Sequence, residues 1–264
     1  ENPELCGIVK SYNLRGFSFR EYLNLKTGNN IPVHTLDDIL ANHVEIANEI
    51  ARKVDIADNF DNYLHHGFYP FFLEHRNFEE NLLKTMNMMI EVDVLLIRQI
   101  ELKYLTKIKK LYYLLALETG KSPNVSKLAE TIDTSRATVM NYIKYLADAR
   151  LLNIIYHQGS VFPKKPAMVV VNNPNLIYTV YPRNFGDREI LNSFFINQLR
   201  KDHTVNKERA TDAYRIDGET SVRISAEGEG ESRARGKKNY YTASSGLVVG
   251  KGRKIPLWLF GFLY

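Results

Sequence analysis

The sequence predicts an α+β chain, mainly helical in its N-terminal part, and three observations point to it. Apolar residues recur at helical spacing in the first hundred positions, the spacing switches to strand-like near Leu151, and the last third breaks into short Tyr-, Val- and Ile-rich segments separated by glycines. With 264 residues, 44% of them hydrophobic, the chain is long enough to bury a core and to divide into two or three compact units. The expected units are a helical part over 1–103, a helix-turn-helix with a wing over 104–171 and a small α/β unit over 172–264.

In the first unit Leu36, Ile39, Leu40, Val44 and Ala47 form one helical stripe, and Phe78, Leu82, Leu83, Met86, Met89 and Ile90 form another. The methionines fit a buried face; a methionine-rich binding groove is the alternative. Gly28-Asn-Asn-Ile-Pro32 and Gly67-Phe-Tyr-Pro70 read as loops between the helices of a small bundle.

A long amphipathic helix is expected from Tyr104 to about Thr119. Asn124 then caps a short helix with Val125, Leu128, Ala129 and Ile132 inward. Asp133-Thr134-Ser135 turns and caps another, with Val139, Ile143 and Leu146 inward. Leu151–Tyr156 and Ala167–Val171 read as strands joined by a loop from Gly159 to Pro166, which completes a winged helix-turn-helix pattern. Beyond it, Asn172-Asn-Pro-Asn175 reads as a loop leading to a helix over Asp187–Lys201. Strands are expected at Ala213–Ile216, Val222–Ala226, Asn239–Thr242 and Gly246–Val249, with a buried strand in Ile255–Tyr264. Glu227–Lys238, Gly-rich and of mixed charge, reads as a flexible loop.

The formal net charge of +5 is unevenly spread, with −6 on residues 1–103, +6 on 104–165 and +5 on 166–264. The basic middle suits nucleic acid or an acidic partner, although a solvated face also accounts for such a cluster. On the outward face of the second helix of the motif stand Arg136, Thr138, Asn141, Lys144 and Tyr145, where a reading helix presents side chains to a major groove. Lys164 and Lys165 sit where a wing meets phosphate. A packing or protein-contact role for the same motif remains the alternative.

Other chemistries are excluded by spacing. Gly120-Lys121-Ser122 is no P-loop, because the position of the first required glycine is Leu115, inside an amphipathic helix. His65 and His66, with His75 nine residues on, lack a completing ligand set, and no G-x-S-x-G elbow supports a serine nucleophile. The single cysteine, Cys6, rules out an internal disulfide and fits a reducing compartment, so a cytoplasmic location is expected. The apolar C-terminal run is too short to span a bilayer. A start at Glu1 without methionine or signal pattern suggests part of a longer protein.

Three stretches carry a family resemblance: Leu14-Arg-Gly-Phe-Ser-Phe-Arg-Glu-Tyr-Leu23, Tyr63-Leu-His-His-Gly-Phe-Tyr-Pro-Phe-Phe72 and the closing Gly250–Tyr264. Together with the winged helix between them they resemble the C-terminal part of bacterial and archaeal predicted AAA-type ATPases, particularly members from Bacteroidetes. The resemblance implies a helical lid, a winged helix and a C-terminal domain of the PD-(D/E)xK nuclease type, with the ATP- and Mg²⁺-dependent core lying before Leu14 and no cofactor in this chain. It implies a regulatory or interaction portion rather than a catalytic one, with double-stranded DNA or an unidentified protein as partner. On the nuclease pattern, Glu189 matches the helix glutamate and Asp212 the aspartate, with Asp217 a second candidate. Arg223 stands where the pattern has an acid and Glu227 where it has lysine. A guanidinium beside Asp212 repels a divalent cation, so no Mg²⁺-dependent nuclease activity is expected.

Overall fold

The computed structural model describes residues 15–74, 77–180, 186–229 and 239–264. Cys6, Leu14, His75 and the 230–238 part of the expected flexible loop lie outside them. The fold is mixed α+β. Two apolar cores run through it, and neither follows the chain in one piece.

The first core joins the N-terminal helices to the C-terminal sheet. Helix α1 (Phe19–Thr27) starts on a capping box, with Ser18 accepting from the Glu21 amide and Glu21 returning to the Ser18 amide. Helix α2 (Leu36–Ala51) starts on the same device built from Thr35 and Asp38, and α3 (Ile56–Asn62) runs into a π-helical turn, Tyr63–Gly67. These helices meet a five-stranded sheet of β3 (Val205–Lys207), β4 (Tyr214–Ile216), β5 (Thr220–Ser225), β6 (Tyr240–Ser244) and β7 (Lys254–Pro256) in sequential order. β3, β4 and β5 pair antiparallel; β5, β6 and β7 pair parallel. Helix α9 (Asp187–Leu199) lies between sheet and helices and buries Phe194, Phe195 and Leu199 completely.

The expected strand at the end of the chain is replaced by β7 and a fully buried 3-10 helix, Leu257–Phe262. A continuous apolar run has no period, and α1, α2 and α9 enclose this segment from all sides, so nothing favours the extended form. Gly261 makes the enclosure possible, since an added Cβ would stand 2.5 Å from that of Phe19. Gly246–Val249 forms turns, not a strand, and Pro174, read as part of a loop, opens α8 (Pro174–Val180). Proline is at home in a first helical turn because its missing N–H is not needed there.

The second core holds α4 (Phe78–Met88), a π-helical stretch Met89–Leu96, α5 (Leu105–Leu117), α6 (Val125–Thr131), α7 (Arg136–Asp148), the antiparallel pair β1 (Leu152–Ile155) and β2 (Met168–Val171), and α8. In the N-terminal part the buried residues of the first core end at Leu64 and those of the second begin at Leu82. Alternate residues of the hairpin serve both: Leu152, Val169 and Val171 face the second core, Ile155, Met168 and Val170 the first. Asn175 ties the two together. Its Oδ1 accepts the Phe68 amide at 2.8 Å, and its Nδ2 donates to the carbonyls of Tyr63 and Leu64, satisfying backbone groups that the π-helical turn leaves over.

Candidate functional site

Two clusters of charge stand out, one on each core. On the second core the start of α7 is fixed by Ser135, whose hydroxyl accepts the Thr138 amide at 3.0 Å. Val139, Tyr142, Ile143 and Leu146 then turn inward. Arg136 and Asn141 are left exposed on the opposite face. The β1–β2 loop comes alongside, held by the Ser122 hydroxyl donating to the Pro166 carbonyl and by a bridge between Lys121 and Val169. Gly120, in the left-handed region at φ +82, turns the chain into that bridge; it does not cradle a phosphate loop.

Between α7 and the loop lies a groove of about 320 Å³ lined by Arg136, Met140, Asn141, Phe162, Pro163 and Lys165. Lys164, next in the loop, is exposed. Among the described residues, Arg136, Asn141, Lys164 and Lys165 have no side-chain hydrogen bond or ion pair. Three of the seven expected contact residues, Arg136, Asn141 and Lys165, thus line one groove, with Lys164 adjacent in the loop. The other three are engaged elsewhere. The Thr138 hydroxyl is 2.8 Å from that of Ser135; Lys144 pairs with Asp148 at 2.9 Å; and the Arg98 guanidinium, 2.6 Å from Asp148, lies 5.1 Å over the Tyr145 ring.

On the first core only Asp212 and Arg223, of the residues matched to a nuclease pattern, are seen to meet. Asp212 meets Arg223, whose Nε donates to Oδ2 at 2.9 Å, and Arg188 donates to the same oxygen at 3.0 Å. Glu229 closes the cluster at 3.2 Å from Arg223 and 3.5 Å from Arg188, and the Lys207 ammonium donates to the Asp212 carbonyl. Burial alone would raise the Asp212 carboxyl, but the bonds and charges of Arg223 and Arg188 outweigh it and hold it below the ordinary value. Burial pushes Lys207 down to about 8.

Glu189 stands beside Gly186, and Glu227 beside Gly246. Asp217 turns to other work, accepting the Thr204 amide at 2.7 Å with His203 at 2.6 Å. The donor set around Asp212, one carboxylate oxygen between two guanidiniums, does not fit a divalent cation, which needs several oxygen ligands free of competing positive charge. Among the described residues no cluster of three His, Cys, Asp or Glu side chains is placed to hold a metal. His65 stacks on Tyr178 at 4.0 Å and His66 meets the edge of Phe78 at 4.9 Å. Arg188, Lys207 and Glu229 were missed in the sequence because each comes from a different element and no spacing links them to Asp212. No described helix is long and apolar enough to cross a membrane.

Residues 57–166 match a family model described as a domain of unknown function, DUF8612. The matched span takes in α7 and the loop with Lys164 and Lys165, and ends before β2. The uncharacterized protein MJ1637 of Methanocaldococcus jannaschii is 31% identical over 171 residues, which is 62% of this chain. The chain spans 36% of that relative's length. No solved structure matches.

Proposed function

We propose that this chain is the non-catalytic, interaction portion of a larger AAA-type ATP-binding protein, and that it acts by binding duplex DNA through a winged helix-turn-helix made of α5, α6, α7 and the β1–β2 hairpin. One observation carries the reading: Arg136 and Lys165 line a single groove, with Lys164 next in the loop, and none of the three has a protein counter-charge among the described residues, while Lys107, Lys109 and Lys110 on α5 are all engaged by protein acceptors. Cations left unpaired on one face are available to phosphate, and Asn141 beside them has the donor and acceptor that base edges require. A relative much longer than this chain is in keeping with a portion of a larger protein. The C-terminal sheet takes no part in catalysis on this reading, since its Asp212 is neutralised by arginine.

Fluorescence anisotropy of a labelled random duplex, titrated from low to physiological salt, tests the proposal. Micromolar binding that weakens steeply with salt is expected, because each neutralised phosphate releases counterions. A flat titration at low salt overturns it. A protein-contact role is the second reading, favoured by the exposed apolar side chains Leu96, Ile97 and Leu102, which are 71%, 64% and 76% exposed.

A further inference from the structure

Away from the α7 groove, a cleft of about 570 Å³ opens between the two cores. Arg15, Lys144 and Arg200 line it, with Arg150, which has an interaction of its own, and one carboxylate, Asp148, shared by Lys144 and Arg98. Such a volume is that of an ordinary small-molecule site.

Arg15 and Arg200 are held in place by neutral groups. The Arg200 Nη1 donates to Asn153 Oδ1 and to the Ile154 carbonyl, both at 3.2 Å, and Arg15 donates to the Arg200 carbonyl at 2.9 Å. These bonds fix the position of two guanidiniums and leave the Nε and Nη2 hydrogens of Arg200 unused among the described residues. Burial and then the neighbouring Arg15 hold Arg200 below its ordinary pKa, and burial does the same to Arg15. Neighbouring guanidiniums whose side-chain hydrogen bonds among the described residues go to amide and carbonyl oxygens, with Asp202 acting on Arg15 only through its charge, are an arrangement that an anion completes. A separate observation points the same way: the Tyr156 hydroxyl, on the cleft wall, is shielded from solvent and has no hydrogen-bond partner among the described residues.

We propose that this cleft binds a small phosphorylated ligand of nucleoside-diphosphate class, its phosphates between Arg15 and Arg200 and its ring against the Phe68 and Tyr69 side of the wall. Paired guanidiniums suit phosphate because their fixed fork matches two oxygens at once. The aromatic wall supplies a stacking surface that a bare phosphate cannot use. The cleft shares Phe162 with the α7 groove, but none of Arg136, Asn141, Lys164 and Lys165 lines it, so variants at those positions separate the two sites.

Calorimetric titration of the full chain with inorganic pyrophosphate and with ADP and UDP tests the assignment. Saturable binding of all three is expected, at least tenfold tighter for the nucleotides. It should weaken at least tenfold in Arg200→Gln and in Arg15→Gln, and be unchanged in Arg136→Ala/Lys165→Ala. Arg15, whose side chain makes one bond to a carbonyl, provides the variant that keeps its fold should Arg200→Gln lose it, and thermal unfolding of each variant checks that point. Three results overturn the proposal: no saturable binding at millimolar pyrophosphate or nucleotide, equal affinity for pyrophosphate and nucleotides, or binding that survives Arg15→Gln but is lost with Arg136 and Lys165.

Discussion

The two cores carry similar charge to opposite ends. On the second, Arg136, Lys164 and Lys165 stand around a groove with no partner among the described residues; on the first, Arg188 and Arg223 are consumed by Asp212 and Glu229 within 3.5 Å. A cation satisfied inside its own fold stabilises that fold slightly and has little left for a ligand. An unsatisfied one adds nothing to stability and keeps its full attraction for an outside anion. On the proposed reading, interaction falls to α7 and its loop, and structure to the C-terminal sheet.

The sharpest way to break the comparison is to break the joint between its halves. Asn175→Ala orphans the Phe68 amide and the Tyr63 and Leu64 carbonyls at a site 1% exposed, and is expected to cost about 3 kcal/mol in urea unfolding. A loss under about 1 kcal/mol would show the cores to be coupled by other means. Next in size, Arg136→Ala/Lys165→Ala should reduce duplex affinity about tenfold, roughly 1.4 kcal/mol, with the melting temperature unchanged.

The converse substitution, Arg223→Ala, should leave duplex affinity alone and lower stability by about 1 kcal/mol, because Asp212 is partly exposed and solvent screens the pair. Adding Mg²⁺ to the unaltered chain should not raise its melting temperature; a rise that depends on Asp212 would restore the metal-site reading.

The smallest effect is on pH. Lys207 has its folded pKa lowered from 10.5 to about 8, so between those values the unfolded chain binds more protons, and stability should rise with pH from about 8 towards 10. Lys207→Met should flatten that rise. Asp212, held below the carboxylate value, gives a slope of the same sign in the acid range: its stabilisation is present above about pH 4 and is lost as the pH falls through its folded value.

Much of α7 and the hairpin was legible because each signal is local. Ser135 caps, Val139, Ile143 and Leu146 repeat at helical spacing, and β1 and β2 lie within the stretches expected. The three-residue strands β3 and β7 carry too few positions for any alternation to register, and Leu257–Phe262 is apolar all round because it is buried all round. The pairing of Arg223 with Asp212 followed from the matched pattern. That Lys144 and Tyr145 have protein partners did not, since Arg98, which meets Asp148 and Tyr145, is 50 residues from Asp148 in sequence. The partition of the first hundred residues between two cores was equally hidden: a buried stripe reveals that a helix packs, not against what.

The central claim is that free cations beside α7, and not those of the C-terminal sheet, meet the phosphates. Its most direct test is the salt dependence of duplex binding measured side by side for the unaltered chain, Arg136→Ala/Lys165→Ala and Arg223→Ala. The account predicts that the slope of log affinity against log salt falls by about two in the first variant and stays put in the second. An unchanged slope for Arg136→Ala/Lys165→Ala, or a fall confined to Arg223→Ala, would contradict it.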